Sequence, residues 1–249
     1  MKRNSEHKSA ALPTGLLPVR VRLNGLLLCG LLLMWALAAG CSSTPVTGRT
    51  VTSAAGIETV VLVPFTDLTE VYGESGLIAC PLNPKYFEAG PTEENAGQVL
   101  TVLTDRQLIR KREFDVARWN RKLAEIPADR GRFNQERKFV MRVGRESGAD
   151  AVLVGYLYEF RQRLGEKYAA DTPAAVAFSL HLVRTENGAD VWYGFFEETQ
   201  QALSENLFRL PLFIERGASW QTAEELAQYG LEALWKTFPQ RQSDSNSRE

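Results

Sequence analysis

The sequence predicts an α/β fold, a single mixed-sheet domain in the order β-α-β-α-β-β-β-α with helices packed on the sheet. Candidate strands at residues 58–65, 113–118 and 149–160 alternate with segments of helical periodicity, as parallel strands joined by crossover helices do. An alternating strand and an Asn187-Gly188 pair then predict an antiparallel hairpin. A chain of 249 residues, 44% of them hydrophobic, is long enough to bury one such core.

The first strand is predicted at residues 58–65 (ETVVLVPF), a β-branched apolar run typical of a central strand covered on both faces. A long loop rich in glycine and proline follows at residues 66–91, with Tyr72, Tyr86 and Phe87 in it. Long ordered loops in compact domains are often functional, so these three aromatic residues are candidates for a partner surface. Packing within the loop is their alternative role.

Two helices and a short strand are predicted next. Thr92 is the expected cap of a helix that ends near Lys111, and a strand follows at residues 113–118. The second helix is predicted at residues 132–147, where Gly148 supplies the residue that helix ends favour.

The strongest strand signal is the apolar run at residues 149–160, and residues 161–174 are predicted to be a hairpin loop. In the next strand, alternation places Ala177, Ser179 and His181 on one face, which predicts a strand that is half buried. The returning strand is predicted at residues 191–199.

The last helix is predicted to begin with a capping box formed by Thr222 and Glu225. Its apolar residues fall on one face at helical spacing, and Pro239 ends it.

Residues 1–40 have the order of a secretion signal, with Arg20 and Arg22 before an apolar stretch that ends in small residues at Cys41. This stretch of eighteen residues, nearly all of them apolar, is long enough to span a bilayer, so a retained transmembrane helix is the alternative. The flank beyond Cys41 lacks the positive charge that stops transfer, which favours cleavage.

The run Leu37-Ala38-Ala39-Gly40-Cys41 resembles the bacterial lipobox. The resemblance implies that Cys41 is acylated, becomes the first mature residue and carries a permanent membrane anchor. The motif usually has Leu where this chain has Ala38. Lipoproteins kept at the inner membrane typically have Asp after the cysteine, so Ser42 favours the outer membrane.

The predicted organisation follows from these boundaries. Residues 1–40 are a signal peptide, residues 41–57 a lipidated flexible tether, residues 58–239 a periplasmic domain and residues 240–249 a disordered tail. The whole chain has a net charge of −1 and residues 1–40 one of +4, which leaves −5 for the remainder. An acidic surface argues against nucleic acid and against electrostatic adhesion to lipid as binding modes.

Catalytic chemistry is sparse in the predicted mature chain, where Cys80 is the one cysteine besides Cys41 and His181 is the one histidine. A thiolate or imidazole metal site therefore lacks ligands, and no catalytic residue, metal or cofactor is predicted. Cys80 is expected to be half buried in a loop, with an intermolecular disulfide as its alternative. His181 is expected on a polar sheet face, out of reach of the thiol.

A group of cations ends the first predicted helix, and Arg110 and Arg112 are the two candidates chosen from it for the partner surface. A solvated helix end that interacts with the dipole is their ordinary role. An acidic partner is the alternative.

The chain resembles the lipoprotein group that includes the penicillin-binding-protein activator LpoB, the curli secretion subunit CsgG and the N-terminal domain of TolB. The residues that carry the resemblance are Pro64-Phe65, Gly148-Ala149-Asp150, Gly188 and Trp192. It implies a non-enzymatic envelope protein that binds another envelope component as adaptor or activator. An oligomeric secretion-channel subunit and a cell-wall-modifying enzyme remain the alternatives.

Overall fold

A computed structural model describes residues 46–119, 133–167, 169–201 and 219–241, and every structural statement below concerns these residues. They all belong to one unit, Thr44–Glu249. The predicted signal peptide, Cys41 and residues 242–249 of the predicted tail lie outside them.

The secondary structure consists of eleven strands and four helices within the described residues. The strands are β1 (Val46–Thr50), β2 (Thr59–Leu62), β3 (Thr66–Asp67), β4 (Leu77–Ala79), β5 (Tyr86–Glu88), β6 (Asp115–Ala117), β7 (Ala151–Arg161), β8 (Leu164–Glu166), β9 (Ala169–Thr172), β10 (Ala175–Arg184) and β11 (Asp190–Thr199). The helices are α1 (Thr69–Tyr72), α2 (Ala96–Lys111), α3 (Phe133–Ser147) and α4 (Ala223–Trp235).

Seven of these strands form one mixed sheet in the order β1-β11-β10-β7-β2-β6, with β3 paired to β7. Strand β2 lies parallel to β6 and β7, whereas β10 lies antiparallel to β7 and β11. The parallel part arises because helices connect β2 to β6 and β6 to β7, and the antiparallel part arises from hairpins. The predicted α/β class with a mixed sheet is confirmed.

The sheet is covered on both faces, and successive residues of β2 show how. Val60 and Leu62 belong to an apolar core shared with α2 and α4, on what we call the α2/α4 face. Val61 belongs to a second core shared with α3 and residues 68–89, on what we call the α3 face. Side chains of a strand alternate between faces, so the central strands β7 and β10 are buried along almost their whole length.

The long loop predicted at residues 66–91 is instead largely structured. It contains β3, α1 and the two-stranded ribbon of β4 and β5, and its apolar side chains cover the α3 face. The prediction of a half-buried β10 is wrong for the same reason, because Ala177, Ser179 and His181 lie beneath this cover.

The predicted tether is also corrected where it is described. Residues 46–50 form the edge strand β1, which pairs antiparallel with β11, and Ala54 and Ile57 are buried in the core. Val46 and Gly48 are partly buried and the other three residues of β1 are exposed, so a polar sequence such as VTGRT is compatible with this strand. The domain therefore begins at or before Val46 and not at residue 58.

Local signals at turns and helix ends are confirmed in part. The capping box is present, with the Glu225 N–H donating to Thr222 Oγ1 over 3.1 Å. Helix α2 begins at Ala96 and not at Thr92, which bridges to β7. The hairpin between β10 and β11 forms, but of its Asn-Gly pair only Gly188 has positive φ, so the turn is not of type I′.

A close approach of one aromatic ring to the backbone of β7, on the α2/α4 face, depends on a glycine. The ring of Phe65 crosses β7 at Gly155, where an added Cβ would lie 2.5 Å from the ring. Phe65 also contacts Phe178 edge to face at 6.1 Å, so the ring has neighbours on both sides.

We expect Gly155→Ala to lower the free energy of unfolding by about 1–3 kcal/mol, because the added methyl group overpacks the site. The double variant Gly155→Ala with Phe65→Leu should lose less stability than the sum of the two single changes. Urea denaturation of the four proteins measures this, and strictly additive losses would contradict the proposed contact.

Candidate functional site

The aromatic residues predicted for a partner surface have different environments. Tyr86 and Tyr72 are exposed. Phe87 is fully buried and stacks on Tyr158 with ring centroids 3.9 Å apart. Phe87 therefore belongs to the core, and its choice as a surface residue is wrong. Period-two alternation in β5 turns Tyr86 outward and Phe87 inward.

The two predicted cations lie on a different part of the domain. Arg110 and Arg112 are exposed at the end of α2, which packs on the α2/α4 face. The ribbon that carries Tyr86 packs on the α3 face. The structure thus does not join the five predicted residues into one surface.

A buried polar cluster that the sequence did not predict lies beneath the ribbon. Cys80 Sγ is 3.2 Å from His181 Nε2 and 3.8 Å from Ser179 Oγ. The Tyr158 hydroxyl lies 3.0 Å from Ser179 Oγ and extends the cluster. Ser179 and His181 are two residues apart on β10, so both point to the α3 face, where Cys80 follows β4.

Three expectations are corrected by this cluster. Cys80 is 4% exposed and not half buried, and His181 is fully buried and not on a polar face. The thiol was expected to lack a nearby base, yet the imidazole touches it. The two residues are 101 positions apart, so no local spacing in the sequence indicates the contact.

The protonation states of the pair follow from burial. Burial raises the pKa of the Cys80 thiol, and hydrogen bonding with Tyr158 offsets this only in part. Burial lowers the pKa of His181 to about 3, and the Arg137 charge acts in the same direction. Both groups are therefore neutral at neutral pH. A reactive cysteine needs a lowered pKa and access to solvent, so this arrangement favours a structural role for the pair.

Carboxylates meet near the ends of β7 and β11. Burial raises the pKa of Glu159, Arg161 opposes this, and the charges of Glu88 and Glu197 add to the rise. Glu197 is held by Lys85 at 3.2 Å. Groups of three or more histidine, cysteine or acidic residues that suit a metal ion do not occur among the described residues.

An accessible apolar groove lies between α2 and the edge strand β6. It encloses about 960 Å³ and its walls include Pro64, Phe65, Val102, Ile109, Val116 and Trp119. Val102, Ile109 and Val116 are 42%, 55% and 37% exposed. The sequence analysis missed this groove, although Val102 and Ile109 lie seven residues apart and thus share a second apolar stripe of α2.

Comparisons with known proteins give distant structural similarities. No model of a protein family matches the chain, and no curated protein sequence matches it. The PelC dodecamer from Paraburkholderia phytofirmans is 18% identical at a TM-score of 0.41, covering 80% of this chain and 98% of that one. Lipoprotein GNA1162 from Neisseria meningitidis is 13% identical at a TM-score of 0.36, covering 65% and 98%.

The C-terminal domain of LpoB from Salmonella enterica is 15% identical at a TM-score of 0.33, covering 60% of this chain and 88% of that one. The LpoB-like group named from the sequence is thus represented among the similar structures. At these identities and TM-scores the similarities carry no information about function. In the part of the chain that the structure describes, no helix is long and apolar enough to cross a bilayer.

The buried imidazole predicts how stability depends on pH. The His181 pKa is about 3 in the folded state and 6.5 as its ordinary value, so the unfolded chain takes up the proton first as the pH falls. The contribution of His181 to the free energy of unfolding is therefore complete above pH 6.5. Below pH 6.5 it falls by about 1.4 kcal/mol for each pH unit, down to about pH 3.

The test compares urea unfolding of the wild type and His181→Phe between pH 7 and pH 4. We expect the variant to lose this part of the pH slope, whatever its stability at pH 7. Tyr158→Phe is the matched control, because it disturbs the same cluster and should keep the slope. Equal slopes for the wild type and His181→Phe would show that the imidazole is not buried in its neutral form.

Proposed function

We propose that this chain is a non-catalytic lipoprotein of the bacterial cell envelope. A lipid on Cys41 anchors it to the outer membrane, and the α/β domain faces the periplasm. The domain binds another envelope component and acts on it as adaptor or activator.

The anchoring part of the proposal rests on the N-terminal sequence. Basic, apolar and small residues occur in the order of a secretion signal and end at Cys41. Ser42 in place of an acidic residue supports the outer membrane as the destination.

The binding part rests on one observation, the exposed apolar groove between α2 and β6. Apolar side chains that converge in a groove gain free energy when a ligand removes them from water. The pair of Cys80 and His181 supports a role other than catalysis, because it is buried and both its groups are neutral. A cell-wall-modifying enzyme is therefore the less favoured reading.

An oligomeric secretion-channel subunit is the second candidate, and one observation favours it. Strands β1 and β6 end the sheet on its two sides, and within the described residues each pairs with a single neighbouring strand. Free strand edges can pair with further copies of a chain.

Lipidation at Cys41 is tested by mass and by location. We expect the native protein to have the mass of residues 41–249 plus acyl chains and to sediment with membranes. Cys41→Ser should leave the protein unacylated and release it from the membrane, because no covalent lipid holds it. Cys80→Ser is the matched control and should stay membrane-bound. A native mass that begins at an unmodified Met1 would refute the anchor.

The two candidate functions differ in the size of the purified particle. Extraction from membranes in mild detergent, followed by light scattering and mass spectrometry, should recover an adaptor together with a different envelope protein. A channel subunit should instead form a ring of identical copies. A protein recovered as a monomer with no companion would contradict both.

A further inference from the structure

Among the residues that the structure describes, no strand pairs with the outer edge of β6, which leaves backbone groups there for pairing. In the parallel pairing of β6 with β2, the Asp115 N–H donates to the Glu58 carbonyl over 2.8 Å, and Val116 lies opposite Val60. Because backbone groups alternate in direction along a strand, Asp115 and Ala117 point theirs toward β2. The N–H and C=O of Val116 therefore point away from the sheet, into the side where an added strand would lie.

The side chains beside this edge are apolar. Val60 belongs to the core of the α2/α4 face, so Val116, its partner in register, points to the same side. Val102 and Ile109 of α2 line the groove across from it. A strand added beside β6 would direct every second side chain toward these three residues, which selects for apolar residues at alternating positions.

Cations lie at both ends of the groove: Arg118 lines it just beyond the end of β6, and a larger group lies at the end of α2. Helix α2 ends in the exposed cations Arg110, Lys111 and Arg112, and β6 begins three residues later at Asp115. Lys111 and Arg112 form no ion pair with any residue in the described ranges. They lie at the end of the groove where β6 begins. The carboxylate of Asp115 at this end is paired with Arg241, so Lys111 and Arg112 favour an acidic group on a ligand there.

The strand at the other edge of the sheet, β1, is poorly suited to fill this groove in a second copy of the chain. In β1, Val46 packs against the core of the α2/α4 face and Gly48 faces Thr237, just beyond α4. The side of β1 that would have to enter the groove of a second copy is therefore already covered by its own domain. An extended peptide of another protein has no such cover. It can pair with the backbone of β6 and place its side chains in the groove.

We propose that the groove between α2 and β6 binds an extended peptide segment of a partner protein as an additional strand. This segment has apolar side chains at alternating positions and carboxylates near the end of α2. Strand addition of this kind takes its affinity from the backbone and its specificity from the alternate side-chain pockets. The proposal rests on the proposed function and names the chemistry of the partner.

The first experiment uses synthetic peptides and the full mature chain in detergent. The probe is a fluorescein-labelled nine-residue peptide with valine at every second position and two glutamates at one end, made in both chain directions. The first control peptide has the same composition with contiguous valines. The second control peptide carries N-methyl groups at alternate residues, and it is made in two forms, one methylated at the odd positions and one at the even positions. We expect binding by the probe in one direction and binding at least about tenfold weaker by both controls.

Two variants test the groove and two controls test its location. Val102→Asp places a charge in the apolar wall, and Val116→Pro removes the outward N–H without touching the bonds to β2. Each should weaken binding of the probe about tenfold or more. Leu77→Asp and Leu164→Asp change exposed apolar residues outside the groove and should bind as the wild type does. Thermal unfolding checks that Val116→Pro is folded, and Val102→Asp provides the test if it is not.

The second experiment separates this proposal from the proposed function. A photo-crosslinking residue is placed at Val102 or at Leu77 in the lipidated protein in native membranes, and the crosslinked peptides are sequenced. A crosslink from Val102 alone to a period-two apolar segment of a different envelope protein supports the proposal. A crosslink from Val102 to a second copy or to the same chain overturns it. A partner captured only from Leu77 overturns it and leaves the proposed function intact, whereas a wild-type protein that captures nothing contradicts both.

Discussion

The burial of the central sheet on both faces is the constraint on which the rest of this structure depends. Strands β7 and β10 are buried along almost their whole length, so each buried polar side chain on them needs a partner inside the protein. Tyr156 donates to Glu136 Oε1 over 2.8 Å, and the hydroxyls of Tyr158 and Ser179 meet each other. The neutral imidazole of His181 follows from the same condition, because a charged ring would lack hydration there.

The cover of the α3 face is held in place by polar contacts at its margin. Arg137 of α3 binds Asp190 at 3.0 Å and the carbonyl of Gly188, which ties the helix to the turn between β10 and β11. The same guanidinium reaches the Leu82 carbonyl at 3.4 Å, in the connection between β4 and β5 that also contains Cys80. One side chain thus joins the helix, the hairpin and the ribbon, and its charge contributes to the low pKa of His181.

The sequence predicted the long elements well because their periodicity is local. The runs that became β2, β7, β10 and α4 carry their pattern within about ten residues, and the capping box of Thr222 is a four-residue signal. The elements that were missed, which are β1, β3, α1 and the β4–β5 ribbon, are short and become ordered through tertiary contacts. The Cys80–His181 contact and the edge position of β6 depend on chain topology, which single-sequence patterns do not contain.

Strand β1 brings the start of the folded domain to within five residues of Cys41. Five residues span at most about 18 Å when fully extended, so a lipid at Cys41 would hold the domain close to the bilayer surface. Lateral diffusion in the leaflet, in place of a search through the periplasmic volume, would then bring the domain to its target. A force that pulled on such an anchor would act first on the five-residue pairing between β1 and β11. The hydrogen bonds of this edge pairing would therefore be the first in the domain to bear the force.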